Sequence, residues 1–338
     1  MDVEGEKQLL QLYVREPNDL TIRNVENLRR PESDDVKIKV SVGGICGSDL
    51  SFLKGKFAHG TYPLTPGHEL VGTIIECGDK SLYEVGTRVV VLPNTYCGTC
   101  VYCQKGQTNI CANKQSFGIN KDGGFAEEFV LSSKFVLPLS DELSDDRAVI
   151  IEPFAVVVRA FKKVTITKGT SVAIIGGGTI GLLAAALANY LGADVTVTDI
   201  NPKKHSIVEE LGPVRAVYPE AIEGDTFDIV IEAAGTAASF KQAVQAIKPG
   251  GSMVAVGIVP DVEIPATQIV RNDQTIYGSI IYRFPEDYEE TIAYLKDPNL
   301  HIEPIFSLTF PISQYETAFE KAQSGDYAKI TLDFRKKD

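Results

Sequence analysis

The sequence predicts an α/β protein of two domains, one β-rich and barrel-like, the other built on a doubly wound parallel sheet. Its 338 residues exceed what one hydrophobic core comfortably organises. Its first part is a succession of short strands densely punctuated by Gly and Pro, a barrel pattern. After about residue 155 strands alternate with helices, and that half opens on a glycine turn set between a strand and a helix.

Taken in order, residues 9–25 and 34–45 alternate apolar and polar side chains, as in LQLYV and VKIKVSV, and read as strands. Further strands are expected at LVGTIIE (70–76), RVVVLP (88–93) and FAEEFVL (125–131). FAVVVRAFKKV reads as a helix, and SVAIIGGGTIGLLAAALANYLGADVTVTDI as strand, glycine turn, helix and strand. Further βα units follow at FDIVIEAAG (227–235), ASFKQAVQAIKPGG (238–251) and SMVAVGI (252–258). The tail returns to strand-like PIFSLTF and KITLDF and is expected to rejoin the first domain, since chain termini often lie together. The expected division is 1–155 with 296–338, and 156–295.

Composition excludes some functions. A net charge of −12 opposes an electrostatic grip on nucleic acid or anionic membrane. No apolar run approaches the roughly 20 residues needed to span a bilayer. MDVEGEKQLL lacks the basic-then-apolar pattern of a signal peptide. A cytoplasmic location with reduced thiols is therefore expected.

Four of the six cysteines crowd into CGTCVYCQKGQTNIC. Cys97, Cys100, Cys103 and Cys111 follow C-x2-C-x2-C-x7-C, a spacing that closes tetrahedrally on Zn²⁺ and leaves no open position, so the site reads as structural. A metal-free redox-sensing loop and an Fe–S cluster are the alternatives. Cys77, alone in IIECGD, reads as an inert thiol.

GGGTIG places Gly176, Gly178 and Gly181 in G-x-G-x-x-G register, with Thr179 and Ile180 between the last two. After an apolar strand and before a helix, this turn cradles a dinucleotide pyrophosphate on free helix N–H groups. The next strand ends in Asp199, whose carboxylate can accept from both ribose hydroxyls and repels a 2′-phosphate, so NAD is expected over NADP. Lys203 and Lys204 follow closely and can soften that discrimination.

Cys46 in CGSD, His68 and Glu69 in PGHE, and Glu152 in IEPF are a soft, a borderline and two hard ligands. Such a mixture suits a catalytic zinc that keeps an exchangeable position. Spacing alone leaves open whether they converge; a core thiol, a satisfied histidine and a helix-start carboxylate are the plain readings.

In order along the chain, GGICGSDL, PLTPGHELVG, the four-cysteine loop, KDGGFAEEFV, the glycine turn and KPGG together make the sequence resemble the zinc-dependent medium-chain dehydrogenase/reductase superfamily over essentially its whole length. The resemblance implies a GroES-like catalytic domain, a Rossmann nucleotide-binding domain and an active site in the cleft between them. It implies two zinc ions and NAD per chain, with Cys46 and His68 on the catalytic zinc and Glu69 ligating or exchanging there. Glu152 stands where classical alcohol dehydrogenases place a cysteine, and Glu-Pro there resembles the polyol, butanediol and threonine branch. Ser48 matches the hydroxyl that bonds the substrate alcohol and starts a proton relay, and Asp49 the carboxylate that orients the zinc-bound histidine. The reaction implied is hydride transfer from an alcohol, made acidic by zinc, to the nicotinamide.

The relay histidine of many relatives is missing, with Ser51 in its neighbourhood; His59, the nearest other histidine, is a candidate for that role at the substrate, with a surface-loop histidine the plain reading. That absence argues against an L-threonine substrate. CGSDLSFLKGKFAHGTYPLTPGHE is most similar to dehydrogenases of polyols and cyclitols, including the deoxy-scyllo-inosamine dehydrogenases. Tyr282 and Arg283 in GSIIYRFPEDYEE are candidate donors to substrate hydroxyls or phosphate. Phe52, Phe57 and Phe117 are more readily core residues than pocket walls. The expected function is NAD-linked oxidation of a secondary alcohol (polyol, cyclitol or aminocyclitol), against butanediol- and threonine-type substrates. A non-catalytic NAD-binding regulator and a zinc-ribbon nucleic-acid binder are the readings outside enzymology. The expected partner is a small alcohol or ketone, in a homodimer or homotetramer.

Overall fold

Alternating burial draws Leu9–Glu16 (β1) and Asp19–Val25 (β2) into an antiparallel hairpin. In this computed structural model residues 8–26, 28–57 and 60–336 are described. They fall into two compact units. The first runs through Glu152 and takes Leu308–Gln323 and the chain from Ile330 onward; the second holds Pro153–Ser307 and Ser324–Lys329.

The first unit is organised by Asp35–Ile45 (β3), the longest strand, followed at once by the short helix Gly47–Leu53 (α1). Next come Glu69–Cys77 (β4), Arg88–Val91 (β5), the four-residue helix Val101–Gln104 (α2), Glu128–Ser132 (β6), Val136–Pro138 (β7) and Asp145–Ala148 (α3), after which Ile151–Phe161 (α4) passes into the second unit at Pro153. β3 pairs antiparallel with β4 and β6, and β4 with β5. Val36, Ile38, Val71, Ile74, Val89 and Val90 are at most 1% exposed and form the core between these strands.

In the second unit the units run Ser171–Ile175 (β8), Thr179–Tyr190 (α5), Asp194–Thr198 (β9), Pro202–Glu210 (α6), Arg215–Val217 (β10), Phe227–Glu232 (β11), Ala237–Gln245 (α7), Ile247–Ala255 (β12), Ala266–Arg271 (α8), Thr275–Gly278 (β13) and Glu286–Lys296 (α9). The sheet order is β10-β9-β8-β11-β12-β13, parallel throughout. This is the doubly wound order whose strand direction of travel reverses between β8 and β11, where such sheets bind ligands at the strand C-termini. α5 is buried from Gly181 to Ala188, which its run of small and aliphatic residues permits.

The tail Phe306–Pro311 (β14), Tyr315–Gln323 (α10) and Lys329–Asp333 (β15) adds two strands to the β3 sheet. The sequence expectation put 1–155 and 296–338 wholly with the first domain, whereas 153–155, 296–307 and 324–329 cluster with the second unit. Leu300, Ile302 and Ile305 are buried, and the turn Glu303–Ile305 packs against α5 and α6. α10 was not anticipated: only Tyr315, Ala318 and Phe319 of its nine residues are buried, too sparse a stripe to announce a helix. Among the described residues no helix is long and apolar enough to cross a membrane.

α9 is anchored by Asp287, which is fully buried. Its carboxylate accepts from Lys162 Nζ at 2.6 Å and from the Arg283 N–H at 2.7 Å. Asp287→Ala leaves the Arg283 N–H without its acceptor and Lys162 with Glu290 alone, at 2.7 Å, and is expected to destabilise the protein by about 3 kcal/mol, read from urea unfolding.

Candidate metal centres and nucleotide site

Cys46 follows β3 and caps α1, and the third residue of that helix is Asp49, 1% exposed. One Asp49 oxygen accepts from the Cys46 N–H at 2.9 Å. The other accepts from the Gly67 N–H at 3.2 Å and stands 3.3 Å from His68 Nδ1. That charge contact favours the proton on Nδ1 and leaves the Nε2 lone pair for a metal. Nε2 lies 3.1 Å from Ser48 Oγ. Burial pulls the His68 pKa down, but Asp49 and then Cys46 outweigh it and hold it well above the ordinary value. A cation held there would displace that proton, because a metal binds the neutral ring.

Glu69 begins β4 opposite Gly44 of β3. A Cβ on Gly44 would lie 2.1 Å from Glu69 Oε2, so only glycine lets this fully buried carboxylate turn inward. The loop carrying His68 is fixed from behind by the KDGG stretch. Asp122 accepts from the Thr65 N–H at 2.9 Å, and Gly123 and Gly124 donate to Thr65 and Gly67 carbonyls at 2.7 and 3.0 Å. The result is that ligand atoms of Cys46, His68 and Glu69 lie within 4.8 Å of one another. Thiolate, imidazole and carboxylate so placed fit a zinc ion with an exchangeable position. Glu152 is buried on the first turn of α4 but is not one of the converging three. His59 lies outside the described residues.

The four cysteines of the second cluster are free thiols, converging within 4.8 Å. Their sulfurs stand 3.6 Å (Cys97–Cys111), 4.0 Å (Cys97–Cys103) and 4.0 Å (Cys100–Cys111) apart. A tetrahedron of zinc–sulfur bonds of about 2.3 Å has edges of about 3.8 Å, so the cluster fits the ion without rearrangement. Backbone N–H groups of Cys100 and Asn113 donate to Cys97 and Cys111 sulfurs at 3.3 and 3.4 Å. Bonds from Thr99 and Cys100 hold the Cys97 thiol down to about 5, the thiolate form a metal requires, while burial pushes Cys103 up to about 12.

At the nucleotide site β8 is followed by Gly176, whose φ of +107° is the left-handed region that glycine accommodates. Gly178 caps α5, and a Cβ on Gly181 would sit 1.8 Å from the Gly176 carbonyl. Thr179 Oγ donates to the Ala328 carbonyl at 2.8 Å, and Ile180 is half-buried. Asp199 follows β9; its oxygens accept from the Gly177 and Asn201 N–H groups, each at 2.7 Å, which aims the carboxylate and leaves further lone pairs for a ribose. Gly176 and Asp199 line a cavity of about 390 Å³ with Ile200, Pro219, Ala234 and Ser239.

Glu232 was missed by the sequence reading. It ends β11 at the other side of the switch point, fully buried, and accepts from Ala234 and Gly235 N–H groups and Ser239 Oγ at 2.8–3.0 Å. It shapes the cavity wall at Ala234 and Ser239. The signal was available: it closes the strand next to β8, where doubly wound sheets place their ligands.

Of the candidate substrate residues, Tyr282 is 2% exposed and packs edge-on against Tyr288 at 4.8 Å. Arg283 is half-buried, with its Nε bonded to no other described residue. Phe52 and Phe117 are core residues, 0% and 2% exposed, and Phe57 is half-buried.

Residues 32–141 match the alcohol dehydrogenase GroES-like domain and residues 179–297 the zinc-binding dehydrogenase domain. An L-threonine 3-dehydrogenase of Alteromonas mediterranea is 30% identical, over 92% of this chain and 96% of its own. A sorbitol dehydrogenase of Halalkalibacterium halodurans is 29% identical, over 89% and 92%. Among solved structures, a zinc-binding dehydrogenase of Sinorhizobium meliloti bound to NADP superposes with a TM-score of 0.90 at 30% identity, covering 97% of this chain and 99% of that one. An alcohol dehydrogenase of Escherichia coli CFT073 complexed with NADH gives 0.89 at 26%, covering 97% and 99%. The chain belongs to the zinc-binding alcohol dehydrogenase family: it is an oxidoreductase with a GroES-like domain and a Rossmann-type domain.

The two clusters separate in a metal assay. Wild type is expected to carry about two zinc ions per chain, and Cys46→Ala about one with its fold intact. Cys100→Ala also keeps about one but unfolds at lower temperature. Gly44→Ala, which displaces the Glu69 carboxylate while leaving Cys46 and His68 unchanged, is expected to weaken the Cys46 site at least about tenfold by zinc titration.

Proposed function

We propose that the chain oxidises a secondary alcohol, a polyol, cyclitol or aminocyclitol, with NAD, using a zinc ion held by Cys46, His68 and Glu69. The observation that carries this reading is the convergence of those three side chains beside Ser48, with Asp49 behind them. When bound, zinc supplies Lewis acidity at the substrate oxygen and NAD accepts the hydride.

The chain's own residues do the rest. Ser48 Oγ, next to the histidine ligand, takes the alcohol proton and passes it outward. The Asp49 carboxylate, held by Cys46 and Gly67 N–H groups, keeps the imidazole oriented so that the ligand geometry survives turnover. The glycine turn admits the diphosphate, and Asp199 holds the adenosine ribose and opposes a 2′-phosphate. With Ser51 in the neighbourhood of the usual relay histidine, the proton leaves by water or the cofactor's ribose. This favours a polyol over L-threonine, although a threonine dehydrogenase is among the relatives. Four clustered cysteines hold a structural zinc in the same reading. Location in the cytoplasm as a homodimer or homotetramer completes it.

Ser48→Ala is expected to lower kcat about 10²-fold with little change in zinc content or NADH affinity. Asp199→Gly is expected to relax the NAD preference, measured as the ratio of kcat/KM for the two cofactors. NAD reduction across polyols, cyclitols, aminocyclitols, butanediols and threonine tests the substrate class: a cyclic or linear polyol is expected to win, and threonine or butanediol winning overturns that class while keeping the chemistry.

A further inference from the structure

The stretch Asn201-Pro202-Lys203-Lys204-His205, directly after the ribose-binding acid, carries two lysines and a histidine at the start of α6. Cations beside a helix N-terminus are what attract a 2′-phosphate. In the structure all three are engaged. Lys203 Nζ pairs with Asp326 Oδ2 at 2.5 Å. Lys204 is 5% exposed and its Nζ donates to the Tyr327 carbonyl. His205 Nε2 meets the Asp199 carbonyl at 2.9 Å, and its ring lies against Tyr218 at 4.7 Å. Asn201 Nδ2 donates to the Gly325 carbonyl at 3.1 Å and to Asp326 Oδ1 at 3.2 Å.

The partners of Lys203, Lys204 and Asn201 all come from one segment, Ser324–Lys329, which leaves α10 and enters β15 yet belongs to the second unit. Ala328 of the same segment accepts from Thr179 of the glycine turn. The segment therefore reaches both the phosphate-binding turn and the loop beyond the ribose acid. The bonds from Lys203 and Asn201 hold the Asp326 carboxyl below its ordinary range, so it is ionised at neutral pH.

We infer that Ser324–Lys329 is a cofactor-selectivity clamp in which Asp326, by neutralising Lys203 and drawing it from the ribose side, makes Asp199's rejection of a 2′-phosphate effective. The inference rests on the proposed NAD-linked reading. Asp326 acts through Lys203 and is a positioning residue. A 2′-phosphate carries about −1.5 to −2 charges, so unmasking one nearby lysine changes its binding several-fold even in a water-like dielectric.

The test is titration of zinc-loaded protein with NADH and NADPH, followed by cofactor fluorescence, for wild type, Asp326→Asn, Lys203→Ala, their double variant and Asp326→Glu. Asp326→Asn is expected to tighten NADPH about five- to tenfold and to change NADH less than about twofold, with the gain shrinking at high salt. The double variant is expected to lose that gain, and Asp326→Glu to behave as wild type. An unchanged NADPH affinity in Asp326→Asn, a gain that persists without Lys203, or the same gain in Asp326→Glu overturns the inference. Wild type that binds NADPH as tightly as NADH overturns the NAD-linked reading itself, and this with it; only the wild-type titration distinguishes that case.

Discussion

The buried carboxylate of Asp49 is the constraint on which the metal site depends. Two segments meet at its two oxygens: the junction of β3 and α1, to which Asp49 and Cys46 belong, and the loop before β4 at Gly67 and His68. A carboxylate taken out of water demands such partners, since an uncompensated buried charge costs several kcal/mol. Meeting that demand brings a thiol, an imidazole and a carboxylate together. The same carboxylate, with Cys46, holds the His68 pKa well above its ordinary value against the pull of burial.

Around that anchor, close approach of backbone decides which side chains can turn inward. Gly44 admits Glu69, and Gly181 lets α5 descend onto the end of β8. In both places a single Cβ would occupy space already filled by a carboxylate or a carbonyl. The nucleotide half relies on a parallel device, in which Asp199 and Glu232, at the ends of β9 and β11, accept backbone N–H groups of the turns that form the cavity wall.

Much of the fold was legible because its signals are local. Alternation in VKIKVSV and the apolar run VAII are read over four to seven residues, and β3 and β8 lie where those patterns stand. The GGGTIG turn is equally local, since its geometry is a matter of φ angles and missing Cβ atoms. α10 escaped because its buried side chains are few, and the membership of 296–307 and 324–329 because nothing local says which core an extended segment will join. Tyr282 stood in a stretch that reads as a binding segment and proved to be packed against Tyr288.

What the sequence by itself determined was ligand chemistry: four thiols at tetrahedral spacing, a dinucleotide turn with its acid, and a soft-borderline-hard set in CGSD and PGHE. These follow from residue type and short spacing, which the chain carries without folding. What only the tertiary structure decided was convergence and engagement. Cys46 meets His68 and Glu69 while Glu152 stays outside the group, and Lys203 and Lys204, cations in the sequence, are taken up by Asp326 and Tyr327 more than a hundred residues away. The physical reason is the same in each case. A charge or a metal ligand acts according to what lies within a few ångströms of it, and those neighbours are assembled by strand register and chain return, which no local pattern encodes.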